Sequence, residues 1–262
     1  MNVMDFFRLD GKVALVSGGA GMVGSAISEG LAEAGAKVII ASRNMSECEK
    51  RAKELRDRDL DAVAMRLDLS SEDSIISLED EVVSNWRKLD ILFNNAVSRA
   101  GVGLETMTKE EWETTMKVNS TGLFLSCKIL GAEMAKRRSG TIVNIASIYG
   151  LVGPDFRIYE GTGIGQSPAN YAFAKGGMIS FTRYLATYYA KYNVRVNCIC
   201  PGGYRSVDVQ PDAFVQKYVE RTPLRRMACK DDIKGVAVFF ASDASVYITG
   251  QILPVDGGWT AW

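Results

Sequence analysis

An α/β fold, with a parallel sheet covered on both faces by helices, is what this sequence predicts, and three observations predict it. Short β-branched runs alternate with amphipathic helical stretches. The first run passes directly into a glycine-rich turn that opens a helix. No Pro/Ser-rich linker and no repeat interrupts the 262 residues, so one domain, 1–262, is expected.

The elements follow in order. Val13-Ala-Leu-Val16 reads as a buried strand, and a helix from Ser25 stops at Gly35. Val38–Ala41 is the next strand, followed by a charged helix over about 46–58. Residues 62–69 read as a strand, 71–86 as a helix and Ile91-Leu92-Phe93 as a strand. Thr108-Lys-Glu-Glu111 is a capping box, its first side chain and its last each satisfying a backbone N–H, and it opens a long helix toward Arg138. Residues 141–146 form a strand. Ser167 as N-cap and Pro168 at the first helical position start a helix that runs to about Lys191. Strands over 194–199 and 251–255 complete the pattern. The stretch from about 150 to 168 is glycine-rich and irregular, and loops of that length in compact domains tend to be functional.

Composition removes several function classes. With 31 basic and 31 acidic residues there is no charge excess to attract nucleic acid or an anionic membrane. The absence of histidine removes the commonest metal ligand and the usual general base, and no metal site is expected. The five cysteines are scattered. Cys198 and Cys200 fall on one side of a strand, where small apolar core residues are expected rather than a redox pair. The N-terminus lacks the basic start and apolar core of a signal peptide, and no run approaches a membrane span, so a cytoplasmic protein is expected.

Chemistry concentrates at a few places. Tyr171-Ala-Phe-Ala-Lys175 sets a phenol and an ammonium one helical turn apart. A helix surface can carry such a pair with no function. A lysine charge also favours the phenolate, though, and makes tyrosine a usable acid or base near neutral pH. Ser17-Gly-Gly-Ala-Gly-Met-Val-Gly24 lies between the first strand and the first helix, where glycines admit a pyrophosphate and the helix N-terminus attracts it. At the end of the second strand, Ser42-Arg43 lacks the acidic residue that binds a ribose 2′-hydroxyl. Arg43 suits the 2′-phosphate of NADP, the alternatives being a solvated arginine and NAD(H).

Taken together, the motifs resemble those of the short-chain dehydrogenase/reductase family over nearly the whole chain. The resemblance implies a Rossmann-type, doubly wound parallel sheet of about seven strands. Asp68, with Leu69, resembles the family's adenine-contacting aspartate, and Asn94-Asn95-Ala96 its Asn-Asn-Ala-Gly motif. Asn119, Ser147, Tyr171 and Lys175 resemble its catalytic set, with Asn119 implied to position a water linking Lys175 to solvent. Pro201-Gly202 and Ser206 resemble the nicotinamide turn, and Val255-Asp-Gly-Gly258 the family's ending. The implied cofactor contacts are Ser17, Gly18, Gly21, Met22, Val23, Gly24, Ser42, Arg43, Asp68, Leu69, Asn95, Ala96, Tyr171, Lys175, Pro201, Gly202, Tyr204 and Ser206, with a substrate lid over about 204–228.

Three departures matter. Met22 stands where glycine is usual, and Gly18-Gly21-Gly24 has the spacing of the extended branch of epimerases and dehydratases. Val97 replaces the motif's glycine. Ser147 and Tyr171 lie 24 positions apart, and the extra residues, with Asp155, Arg157, Tyr159 and Glu160, are expected at the mouth of the substrate site unless they form a free surface loop. Their polarity favours a polar substrate, met by Ser147, Tyr159, Glu160, Tyr171 and Gly203. The segment 158–162 resembles an insertion in members of surface-sugar and flagellin-glycan biosynthesis, and the chain also resembles gluconate-dehydrogenase-like members. The expected activity is an NADP-dependent oxidoreductase of a sugar, polyol or sugar-derived acid. The alternatives are a 3-oxoacyl or other ketone reductase, an epimerase or dehydratase without net redox, and a cofactor-binding regulatory protein. Partners are a small molecule and further copies of the chain, as a homotetramer or homodimer. The apolar tail 258–262 is expected to be buried on another subunit or on its own.

Overall fold

A computed structural model describes residues 2–206 and 209–262; Val207 and Asp208, in the expected lid, lie outside the described residues. The strands are β1 (Val13–Ser17), β2 (Lys37–Ser42), β3 (Ala62–Arg66), β4 (Ile91–Asn94), β5 (Gly140–Ile145), β6 (Val194–Pro201) and β7 (Ile252–Val255). The helices are α1 (Met22–Glu33), α2 (Met45–Arg56), α3 (Glu72–Trp86), α4 (Lys109–Met116), α5 (Leu123–Arg137), α6 (Ala169–Ala190), α7 (Asp212–Arg221) and α8 (Lys230–Ala241).

The strands form one parallel sheet in the order β3-β2-β1-β4-β5-β6-β7. The near-continuous apolar strands follow from burial on both faces. In β1, Val13 and Leu15 face a core with α3, α5 and α6, while Ala14 and Val16 face a second core with α1, α2 and α8. Cys198 and Cys200 are fully buried in the first core, as expected of small apolar residues. The strand order reverses between β1 and β4, which opens a crevice at the strands' carboxyl ends.

Several expected boundaries shift, each for a local reason. The first helix begins at Met22, not Ser25, because Gly21 takes the N-cap position. β3 ends at Arg66 rather than Leu69, because the Asp68 carboxylate accepts bonds from Ser70 N (2.9 Å) and Oγ (2.7 Å) and turns the chain. Pro168, not Ser167, is the N-cap of α6, without a side-chain bond. The capping box of Thr108 and Glu111 is present, but the long helix is broken by a π-helical segment, Lys117–Gly122. Helices α7 and α8 were not expected as elements, although Ile233, Val236, Ala237 and Phe240 carry a helical apolar spacing. Among the described residues no helix is long and apolar enough to cross a membrane.

A third, smaller core joins Ile148 and Ile158 to Phe214, Tyr218, Met227 and Trp259. Trp259 is buried on its own subunit, its ring stacked on Tyr218 at 4.3 Å, which decides between the two expectations for this part of the tail.

Candidate active site

The glycine-rich turn is laced to the end of β4. Gly18 sits at φ +64°, and a Cβ there would lie 2.9 Å from Ala96 Cα. A Cβ at Gly24 would be driven into the Gly18 carbonyl. Asn95 Nδ2 donates to Ser17 O (3.0 Å) and Gly18 O (3.1 Å). The Ser17 hydroxyl accepts from the N–H groups of Asn95 (3.0 Å) and Ala96 (3.2 Å). Ser17 and Asn95 therefore shape the turn. No side chain caps α1, so the N–H groups of Met22, Val23 and Gly24 have no partner within the helix and face an anion-attracting end.

Beside the turn, Gly18, Ser42, Arg43, Asp68, Leu69 and Ala96 line a cleft of about 150 Å³. The Ser42 hydroxyl accepts from Asn44 N at 3.2 Å, which leaves Arg43 exposed at the rim. Hydrogen bonding from Ser70 holds the Asp68 carboxyl below its usual range, helped by the charges of Arg43 and Arg66. On the far side, Gly202 N donates to Val255 O (2.9 Å), Tyr204 bridges Ala228, and Gln210 Oε1 accepts from Ser206 N (3.0 Å).

Ser147, Tyr171 and Lys175 converge where β5 ends. Ser147 Oγ accepts from Tyr149 N at 3.2 Å and caps a short 3₁₀ turn. Lys175 is buried and donates from Nζ to Ile145 O at 2.5 Å, with Nζ 5.7 Å from the centre of the Tyr171 ring. A lysine retains two further N–H donors after that bond. Burial alone would push the Tyr171 phenol up. The nearby charges of Lys175 and Arg99 and hydrogen bonding from Ser147 and Arg99 outweigh it, so the phenol lies below its ordinary value. Burial lowers the Lys175 ammonium, against the pull of Tyr171. Asn119 lies on the π-helical segment, where such local widening recurs at functional sites. Its Oδ1 accepts from Ser98 N (2.7 Å) and its Nδ2 donates to Ser98 O (2.9 Å).

Sequence reading missed Arg99. Its guanidinium carbon stands 4.4 Å from the centre of the Tyr171 ring. The only sequence signal was a charged residue shortly after the Asn94-Asn95-Ala96 motif.

The segment between Ser147 and Tyr171 is docked, not free. Tyr149 and Tyr159 share a hydroxyl–hydroxyl bond of 2.9 Å, and Tyr159 packs on Phe214 of α7 at 5.5 Å. Lys217 of α7 donates to the carbonyls of Arg157 (3.2 Å) and Glu160 (2.6 Å), and Arg221 pairs with Asp155 at 3.5 Å. The Glu160 side chain is exposed. Gly203 donates to Tyr218 Oη at 2.5 Å, and a Cβ there would strike the Tyr218 ring, so this residue is set under α7.

A family model described as Enoyl-(Acyl carrier protein) reductase matches residues 18–260. The 3-oxoacyl-(acyl-carrier-protein) reductase FabG of Aquifex aeolicus is 36% identical over 255 residues, which cover 96% of this chain and 98% of that protein. Nodulation protein G of Rhizobium meliloti is 32% identical over 255 residues, which cover 96% of this chain and 98% of that protein. The crystal structure of a gluconate 5-dehydrogenase from Burkholderia cenocepacia in complex with NADP and tartrate superposes with a TM-score of 0.90 at 30% identity, covering all of both chains.

Proposed function

The chain belongs to the short-chain dehydrogenase/reductase family, and we propose that within it the protein interconverts a secondary alcohol and a ketone on a small polar substrate, a sugar acid or related hydroxy acid. It is an oxidoreductase of CH–OH and ketone groups, and NADP(H) is its cofactor. The residues present fit that cofactor: the open N-terminus of α1 and its glycine turn suit a pyrophosphate, and the exposed Arg43 suits a 2′-phosphate. Bound there, the nicotinamide supplies or accepts the hydride.

The rest of the reaction falls to the chain's own groups. Tyr171 gives a proton to the substrate oxygen in reduction and takes it in oxidation. Lys175 holds the phenol toward its ionised form through its charge and has donors left for the cofactor's ribose. Ser147 donates to the substrate oxygen as charge develops there. Asn119 holds Ser98, and the open lone pair of its carbonyl suits a water leading toward Lys175.

The observation that carries the choice of substrate is the pair of hydroxyls of Tyr149 and Tyr159, bonded to each other and each near enough to the Tyr171 phenol to feel its charge. Phenols oriented by packing against α7 recognise polar groups, and a site lined by them disfavours an alkyl chain. The presence of tartrate, a small hydroxy diacid, in the gluconate 5-dehydrogenase relative supports the same reading. A second reading, reduction of 3-oxoacyl thioesters, is favoured by the identity to FabG. Copies of the chain would associate through the outward face of α5 and α6, where Phe124, Phe173, Tyr184 and Tyr188 are exposed.

Steady-state turnover with NADPH and NADP across three panels decides: hydroxy and keto acids of sugar size, neutral polyols and ketoses, and 3-oxoacyl thioesters. Turnover on the first, abolished in Tyr171→Phe, is the expected result. Turnover on thioesters alone discards the polar reading and keeps the mechanism.

A further inference from the structure

The loop that follows β4 carries a cation whose surroundings hold it still. Ser98, on one side of Arg99, has both its N–H and its carbonyl bound by the Asn119 amide. Ala100, on the other side, donates to Thr115 Oγ1 at 3.1 Å and accepts from Asn170 Nδ2 at 2.9 Å. Asn170 is tied in turn to Thr115 Oγ1 at 3.0 Å. Asn119, Thr115 and Asn170 are all buried. Buried polar side chains are tolerated where they are hydrogen-bonded, and here their bonds go to the two neighbours of a single arginine.

The side chain so placed leans its guanidinium over the Tyr171 ring, with Cζ 4.4 Å from the ring centre, a contact that favours a cation. It is exposed and in no ion pair among the described residues. It is also close enough to Tyr159 for its charge to act on that phenol. An arginine offers a planar fork of donors that matches a carboxylate. A fork on a backbone held at both neighbours, in no ion pair among the described residues, and leaning over the proton-transferring phenol within reach of Tyr159, is a receptor for an anion carried by the substrate.

We propose that Arg99 is the anion-binding residue of the substrate pocket, receiving the carboxylate of a hydroxy or keto acid beside the Tyr171 phenol. The proposal rests on the polar-acid reading above and goes further by assigning the acid group to one side chain. Lysine at this position would keep the charge but lose the fork.

The test uses the full chain with saturating NADP, and compares kcat/KM for aldonates with kcat/KM for the matched alditols, which lack only the carboxylate. In Arg99→Gln both values should fall, because Tyr171 loses a neighbouring charge whichever substrate is bound, but the aldonate value should fall about 100-fold further than the alditol value. Arg99→Lys should recover part of the loss. A thermal melt checks that the variants are folded; if the glutamine variant is not, the lysine variant carries the comparison. Equal losses on acid and polyol, or no loss on either, overturn the proposal. If the wild type turns over no acid, the polar-acid reading has failed separately. The anion site is then tested by titrating malonate into the NADPH complex and following nicotinamide fluorescence. Binding that Arg99→Gln abolishes upholds it, and binding that is absent or the same in both proteins overturns it.

Discussion

The two halves of the crevice are built from different materials. On the proposed cofactor side, the walls are backbone: a glycine at positive φ, an uncapped helix end and strand ends laced by Ser17 and Asn95. On the proposed substrate side, the walls are side chains: two phenols, an arginine over the Tyr171 ring and a small aromatic core joining the 150–168 segment, α7 and the tail. Backbone walls recognise what is common to every nucleotide, whereas side-chain walls can be changed residue by residue. One side of the site can therefore stay fixed while the other takes a new substrate.

Tyr171 stands on the border and should give the largest effect. Tyr171→Phe should lower kcat by about 10²–10⁴ with NADPH affinity unchanged, read by stopped-flow turnover and fluorescence titration. Loss of both would place the residue in the cofactor half. In the alcohol-oxidising direction the phenolate is the base, so kcat should rise with pH and level off below the ~10 of an ordinary tyrosine. In Lys175→Met, with the ammonium gone, the rise should move to higher pH. An unmoved profile would separate the lysine from the proton transfer.

Trp259→Ala probes the substrate half alone. It removes the ring stacked on Tyr218 and should cost about 3–5 kcal/mol of unfolding free energy. It should also raise substrate KM while sparing NADPH affinity. Weakened NADPH binding would show that the two halves are not separable. Arg43→Ala is the converse, expected to weaken NADPH by about 10–100-fold and NADH hardly at all in equilibrium titrations. Tyr159→Phe is the mildest. Losing one hydroxyl from the pair with Tyr149 should raise KM for a polar substrate by about threefold to tenfold, with kcat for apolar ketones unchanged.

The same division explains what the sequence disclosed. The glycine turn, the strand-helix alternation and the Tyr171–Lys175 spacing are short-range signals, and each reappears in the structure close to where it was read. Helix ends were displaced by one to three residues because caps were decided by Gly21 and Pro168 rather than by the nearest serine. Arg99 and the docking of the 150–168 segment on α7 were out of reach. Arg99 meets Tyr171 across 72 positions, and Asp155 meets Arg221 across 66, and no local pattern marks either pairing.

The π-helical segment between α4 and α5 has a consequence for phase. Each residue of an α-helix advances the side-chain direction by about 100°, so an extra residue in one turn resets the azimuth of everything beyond it. Upstream, Trp112 meets Phe173 of α6. Downstream, Cys127, Leu130 and Met134 enter the sheet's core. The widened turn lets one rod serve both faces while Asn119 points at the β4 loop. Excising a single residue there would leave every helical propensity nearly intact, yet would swing either the clamp or the core face out of alignment, like a key cut correctly and turned in its bow.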